Sequence, residues 1–306
     1  MAKNKITTLL MFFILFMFTL CLIRYSNIKD VKLDNWKTEA NLPVIEKNKY
    51  YDFILLGSSH ARIFSRYNNH KRVEKLLNKN FINLSQGGDR GGIINQQTYL
   101  RYFYLRGNTA KTIVYLLDPY VFFNNEMDTN IHLYDSEPFR LDFFYQLLIN
   151  QPKNLSILTS YLSKLLSKDN IPSFPKEYQV QANEDKVSSL SANILDNRIK
   201  SLYKDSYDDK SFNNNLNDLI KTIDMAIKNK AKVIIITPTT LLPKQSEDDY
   251  FFKAIKIIKN NKFEFYNYSN VIEDSNLYYD TDHLNTQGII TFTEDLLKPI
   301  MSNVKK

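Results

Sequence analysis

The stretch Phe53-Ile54-Leu55-Leu56-Gly57-Ser58-Ser59-His60-Ala61-Arg62 constrains the fold more than any other part of the chain. An apolar run stops at a glycine and gives way at once to hydroxyls, the pattern of a buried strand that turns sharply into a helix. Such a turn puts Ser59 at the strand's carboxyl end, where open α/β sheets bind their ligands. It also holds a serine hydroxyl clear of its own backbone and points neighbouring N–H groups outward, as an acyl-transfer nucleophile requires. Taken alone, Gly57-Ser58-Ser59 is a weak signal, and the stretch reads as a polar turn after a buried strand.

The same alternation recurs downstream. Strands are expected at Tyr51 to Leu56, Phe81 to Leu84, Thr112 to Leu117, Val233 to Thr237 and Phe263 to Tyr268, with helices between them. Ser246 and Asp249 are placed to cap the helix that runs through Ile258. Leu216, Leu219, Ile220, Ile223 and Ile227 share one face of a helix from Phe212 to Lys228. Strand and helix in alternation imply an α/β fold, a parallel sheet with helices on both faces. Between residues 119 and 210 the pattern loosens for too long to be an ordinary connection, so an inserted helical cap or lid is expected, its aromatic residues lining an acceptor site.

Twenty Phe and twenty Tyr against seven Gly argue for a packed globule in a chain of 306 residues. The formal net charge is +7, but no basic run is dense enough for a nucleic-acid stripe, and a solvated lysine-rich surface accounts for it. The single cysteine, Cys21, excludes a disulfide or a thiolate metal site in the soluble part.

Near the other end, Asp280 and His283 stand three residues apart, so one helical turn brings the carboxylate to the imidazole Nδ1–H and leaves Nε2 free as a base. Asp282, adjacent to His283, is expected to point elsewhere. His60 and Arg62 follow the serine turn as helix-surface or substrate-contacting groups, and His70 and His132 are expected to be solvated. No second His at helical spacing supports a metal, and Gly87 to Gly92 lacks the Lys-Ser or Lys-Thr of a phosphate-binding loop, so no cofactor is expected. An oxyanion would sit between the backbone N–H of Ser59 and that of Gly87 or Gly88.

Three blocks in this order, the Gly57-Ser58-Ser59 turn, Asn83-Leu84-Ser85-Gln86-Gly87-Gly88-Asp89, and Asp280-Thr281-Asp282-His283, resemble those of the SGNH (GDSL-type) hydrolases over roughly Tyr50 to the C-terminus. The resemblance implies a three-layer α/β/α, flavodoxin-like domain, Ser59 rather than Ser58 as nucleophile, and His283 and Asp280 as base and orienter. It also places Asn83 with Gly87 and Gly88 at the oxyanion or substrate. The chain departs from the family where a Gly-x-Asn-Asp block should follow the third strand: it has Leu117-Asp118-Pro119-Tyr120, without the asparagine donor.

Ile6 to Ile23 carries no charge, and eighteen helical residues span about 27 Å, close to a bilayer's hydrocarbon thickness. Lys3 and Lys5 precede the run and no small-x-small cleavage site follows it. Residues 1–24 are therefore read as a retained signal anchor, 25–49 as a stalk and 50–306 as an extracytoplasmic domain. Anchor and departure together resemble the membrane-anchored SGNH proteins of teichoic-acid D-alanyl transfer and alginate O-acetylation. That implies an esterase or O-acyltransferase on an envelope glycan or polyol, beside a polytopic membrane acyl-donor protein. The alternative is a non-catalytic envelope scaffold that keeps the site as a binding pocket.

Overall fold

Successive residues of a strand face opposite ways, and here both faces are apolar. Ile54 and Leu56 pack to one side of the sheet with Ile113, Tyr115, Val233 and Ile235, while Phe53, Leu55, Val114, Leu116, Ile234 and Ile236 pack to the other. A sheet of this kind needs helices on both sides. The computed structural model describes residues 2–27, 33–151, 154–165, 176–203, 209–260 and 262–303. Among them are five strands, β1 (Tyr50–Gly57), β2 (Phe81–Asn83), β3 (Thr109–Leu116), β4 (Lys232–Thr237) and β5 (Glu264–Asn267), all parallel in the order β2-β1-β3-β4-β5. This is the α/β architecture with a parallel central sheet and helical outer layers that the alternation implied.

The main helices are α1 (Ala2–Asn27), α2 (Ser59–Arg62), α3 (Asn69–Leu77), α4 (Ile93–Leu105), α5 (Leu141–Asn150), α6 (Leu155–Ser163), α7 (Ala192–Tyr203), α8 (Asp209–Lys228), α9 (Ser246–Lys259) and α10 (Thr286–Thr291). A π-helical segment, Phe292–Leu297, carries α10 on into α11 (Lys298–Asn303). Helices α2, α3 and the C-terminal helices cover one face, and α4, α5, α6, α8 and α9 cover the other. The chain leaves β1 toward β2 on one side, and the remaining strands lie on the other. The gap between β1 and β3 is thus the switch point where ligands bind in open sheets.

Four expectations are corrected. Capping of α9 falls one residue earlier than Ser246: Gln245 is extended and exchanges bonds with Asp248, which is three residues on. Most aromatic residues of the inserted region do not line a site: Tyr134, Phe143 and Tyr161 pack edge-on and stacked with Tyr99 and Tyr102 in the core, whereas Tyr120 and Tyr203 line a cavity, beside His60 and Asp118. Buried aromatic area outweighs any open display of rings. His70 is fully buried and stacks on Phe81 at 3.9 Å, with Ser65 Oγ 3.0 Å from its Nδ1. His132 is exposed and faces Asp135.

The fourth correction concerns the stalk, of which only Val44 and Ile45 are expected from the sequence to pack on the domain's edge; burial begins at Thr38. Thr38 to Ile45 are buried. Asn35 and Asn41 donate to the carbonyls of Phe81 and Leu84 at 2.9 and 3.0 Å, covering the outer edge of β2. Glu137, buried in the inserted region, accepts from the N–H groups of Asn41 (2.6 Å) and Leu42 (2.9 Å) and from Tyr99 OH (2.7 Å). Burial pushes its carboxyl pKa up against the pull of these bonds. Glu137→Ala leaves three buried donors unpaired and is expected to cost at least about 3 kcal/mol, at about 1–3 kcal/mol per group. Urea unfolding reads the loss, and an unchanged midpoint would show that the segment is held by other contacts. Residues 166–175 of the inserted region and 28–32 of the stalk lie outside the described residues.

Among the described residues, no helix is long and apolar enough to cross a membrane. The part of α1 whose side chains are described, residues 6–21, stops two short of the uncharged run, and Ile6, Leu9 to Phe16 and Phe18 on it are all exposed.

Candidate active site

Gly57 is the last residue of β1 and has φ +147°, a value L side chains rarely adopt. A Cβ there would meet Leu116 O at 2.4 Å and Ala61 Cβ at 2.7 Å, so only glycine lets the chain turn against β3 this closely. Ser59 follows at the first position of α2, where a backbone N–H has no intrahelical acceptor and is free for a ligand.

The structure brings Ser59, His283 and Asp280 together across more than two hundred residues of sequence. Ser59 Oγ lies 2.7 Å from His283 Nε2, and His283 Nδ1 lies 2.8 Å from Asp280 Oδ2. Asp280 Oδ1 also accepts the N–H groups of His283 (2.7 Å) and Asp282 (3.0 Å), so the carboxylate builds the turn that presents the imidazole. Burial pushes the Asp280 carboxyl up, but the hydrogen bond and charge of His283 outweigh it and the net shift is downward. An ionised Asp280 fixes the proton on Nδ1 and leaves Nε2 to accept from the serine. Two near-parallel rings flank the imidazole, His60 at 4.8 Å and Tyr279 at 5.5 Å between centroids.

Behind the three residues lies a buried charge cluster that the sequence reading did not assign. Asp118 accepts a short bond from Ser58 Oγ and sits 2.8 Å from His60 Nδ1, a charge pair more than an aligned hydrogen bond. His60 Nε2 is 2.7 Å from the Asp282 carbonyl, which only accepts, so that nitrogen carries a proton. Burial acts to lower the His60 pKa, yet the Asp118 charge and bond, followed by those of Asp282, raise it to about 9. His60 is thus an imidazolium at neutral pH. Asp282 in turn takes a two-pronged contact from Arg198 of α7, at 2.9 and 2.6 Å. Burial opposes the charge of Asp282, and His283, Arg198 and His60 hold its carboxyl well below the usual range.

His60 therefore belongs beneath the site, not on a helix surface, and Asp282 points back into it. Ligand-type atoms of His60, Asp282 and His283 lie within 4.8 Å of one another, a grouping that could hold a cation. Each residue is already engaged, and a cation would have to displace the Arg198 guanidinium or the Asp280 bond. Asn83 is committed locally, donating to Ala61 O at 2.9 Å and accepting from Ser85. Arg62 faces Glu39 at 2.7 Å and lies across Gly87, where a Cβ would meet its Nη2 at 2.3 Å. At Gly88, with φ +59°, a Cβ would meet nothing within 4 Å, so space is open there for a ligand.

Asp118 could have been found in sequence, since a carboxylate directly after β3 stands at the sheet edge that carries sites. Arg198 gave no such signal. In comparisons with known proteins, the chain matches no protein-family model and no curated protein. A carboxylate on Nδ1, an imidazole whose Nε2 faces a hydroxyl, and that hydroxyl at the first turn of a helix are the groups an activated serine needs.

Proposed function

We propose that the protein is a serine acyl-ester hydrolase or O-acyltransferase of the SGNH type, with Ser59 as nucleophile, His283 as general base and acid, and Asp280 as orienter. The observation that carries this reading is the 2.7 Å contact between Ser59 Oγ and His283 Nε2, with Asp280 on the opposite ring nitrogen. In the first half-reaction Ser59 attacks the ester carbonyl, His283 takes its proton and returns it to the leaving alkoxide. Water then gives hydrolysis, and a sugar or polyol hydroxyl gives transfer. The exposed apolar side chains of α1 suit a membrane environment, so the enzyme is proposed to be anchored there with its domain on the extracytoplasmic side, acting on envelope glycan or polyol esters beside a polytopic acyl-donor protein.

A fluorophosphonate probe tests the chemistry directly. The wild-type protein is expected to gain one phosphonyl adduct on Ser59, and His283→Ala is expected to label far more slowly. An unlabelled wild-type protein would instead favour a binding scaffold that keeps the fold without the reaction.

A further inference from the structure

We propose that the Tyr120 hydroxyl donates a hydrogen bond to the oxyanion formed at Ser59, in the place of the asparagine that this chain lacks. The inference rests on the acyl-transfer reading of Ser59. Tyr120 lies just beyond β3, whose Leu116 is paired with Gly57 of the nucleophile turn. Its phenolic oxygen is 2.9 Å from Ser58 Oγ, on the residue next to the nucleophile. The direction of that bond follows from counting hydrogens. Ser58 has one, and Asp118 Oδ2 accepts it, so in the second contact Ser58 accepts and Tyr120 donates. In the resting site the phenol proton thus lies on Ser58 Oγ, one residue from the nucleophile.

The phenol also keeps its proton. Burial raises its pKa well above the ordinary tyrosine value, and the Asp118 charge adds to the effect; the Ser59 hydroxyl is a further hydrogen-bond neighbour of the same oxygen. Tyr120 also forms part of the wall of a cavity with His60, Asp118, Leu202 and Thr237, on the side away from Ser59 and His283, which do not line it. Thr237 Oγ1 in that wall is buried with no hydrogen-bond partner.

In the reaction, the Ser59 Oγ–carbon bond forms, the carbonyl π pair moves onto oxygen, and His283 receives the serine proton. The Tyr120 O–H leaves Ser58 Oγ, which keeps its own bond to Asp118, and turns to the new oxyanion, which also gains the Ser59 N–H. On collapse the pair returns, the ester C–O bond breaks, and the leaving oxygen takes the proton from His283. Tyr120 lends its proton without transferring it.

Tyr120→Phe keeps the ring, including its edge contact with Tyr203, and removes the donor. With full-length protein in detergent and p-nitrophenyl acetate, kcat is expected to fall by roughly 10²–10³-fold with KM within about twofold, as on loss of one oxyanion donor. Affinity for phenylboronic acid, whose serine adduct places an oxygen at the same position, is expected to weaken by at least tenfold. An unchanged melting temperature separates this loss from a structural one. A kcat within threefold of wild type, or a loss that follows a lowered melting temperature with boronate affinity unchanged, overturns the inference while the Ser59 reading stands. A wild-type protein that neither turns over nor labels removes both.

Discussion

Ser59→Ala is expected to lower ester turnover by roughly 10⁴–10⁶-fold, and His283→Ala by a similar factor, with the double variant little worse than either. On the proposed reading the two side chains act as one unit, the serine being activated through the 2.7 Å contact with Nε2. Additive losses in the double variant would count against that unit. Asp280→Asn is a finer probe. Its Oδ1 can still accept the His283 and Asp282 N–H groups, so the turn survives. Its amide, however, would donate toward Nδ1 and drive the proton to Nε2, a wrong tautomer that costs about 10⁴-fold in serine proteases. Steady-state kinetics on p-nitrophenyl acetate reads all three variants. An Asp280→Asn enzyme within tenfold of wild type would mean that Asp282 or the cluster behind it holds the imidazole instead.

His60→Ala is expected to destabilise the fold by roughly 3–5 kcal/mol, the usual cost of leaving a buried partner charge uncompensated. Here the abandoned group is Asp118, only 3% exposed. At this chain length the melting temperature should drop by roughly 10 °C. A pH dependence comes with it. The His60 pKa is raised in the folded state to about 9 from its ordinary 6.5, so its contribution is complete below the unfolded value and is lost as pH rises through about 9. The wild-type protein should therefore lose on the order of 3 kcal/mol between about pH 6.5 and 9 that His60→Gln does not lose. Melting curves of the two proteins across that range test the sign, and parallel curves would show that His60 is neutral in the fold.

The sheet was legible because strands β1, β3 and β4 are buried on both faces and so read as unbroken apolar runs ended by Gly57, Asp118 and Pro238. The short, half-buried β5 fixed only a rough boundary. Ser59, Asp280 and His283 were legible for a local reason: each is set by spacing within one turn, after Gly57 or within Asp280 to His283. What was missed depends on partners far along the chain. Thr38 to Ile45 look like a polar tether until Glu137, 95 and 96 residues on, is seen to hold them. Asp118 read as a gap in a pattern, although it neutralises a buried histidine. The aromatic residues between 119 and 210 carry no mark that tells a display of rings from a packed core.

The pairing of Arg198 with Asp282 joins the inserted region to the catalytic turn across 84 residues. Because Asp282 is nearly solvent-free and contiguous with His283, the guanidinium on α7 acts as a counter-ion beside the imidazole as well as a strut. Movement of that helix would reach the imidazole as a change in local potential before any catalytic atom had shifted.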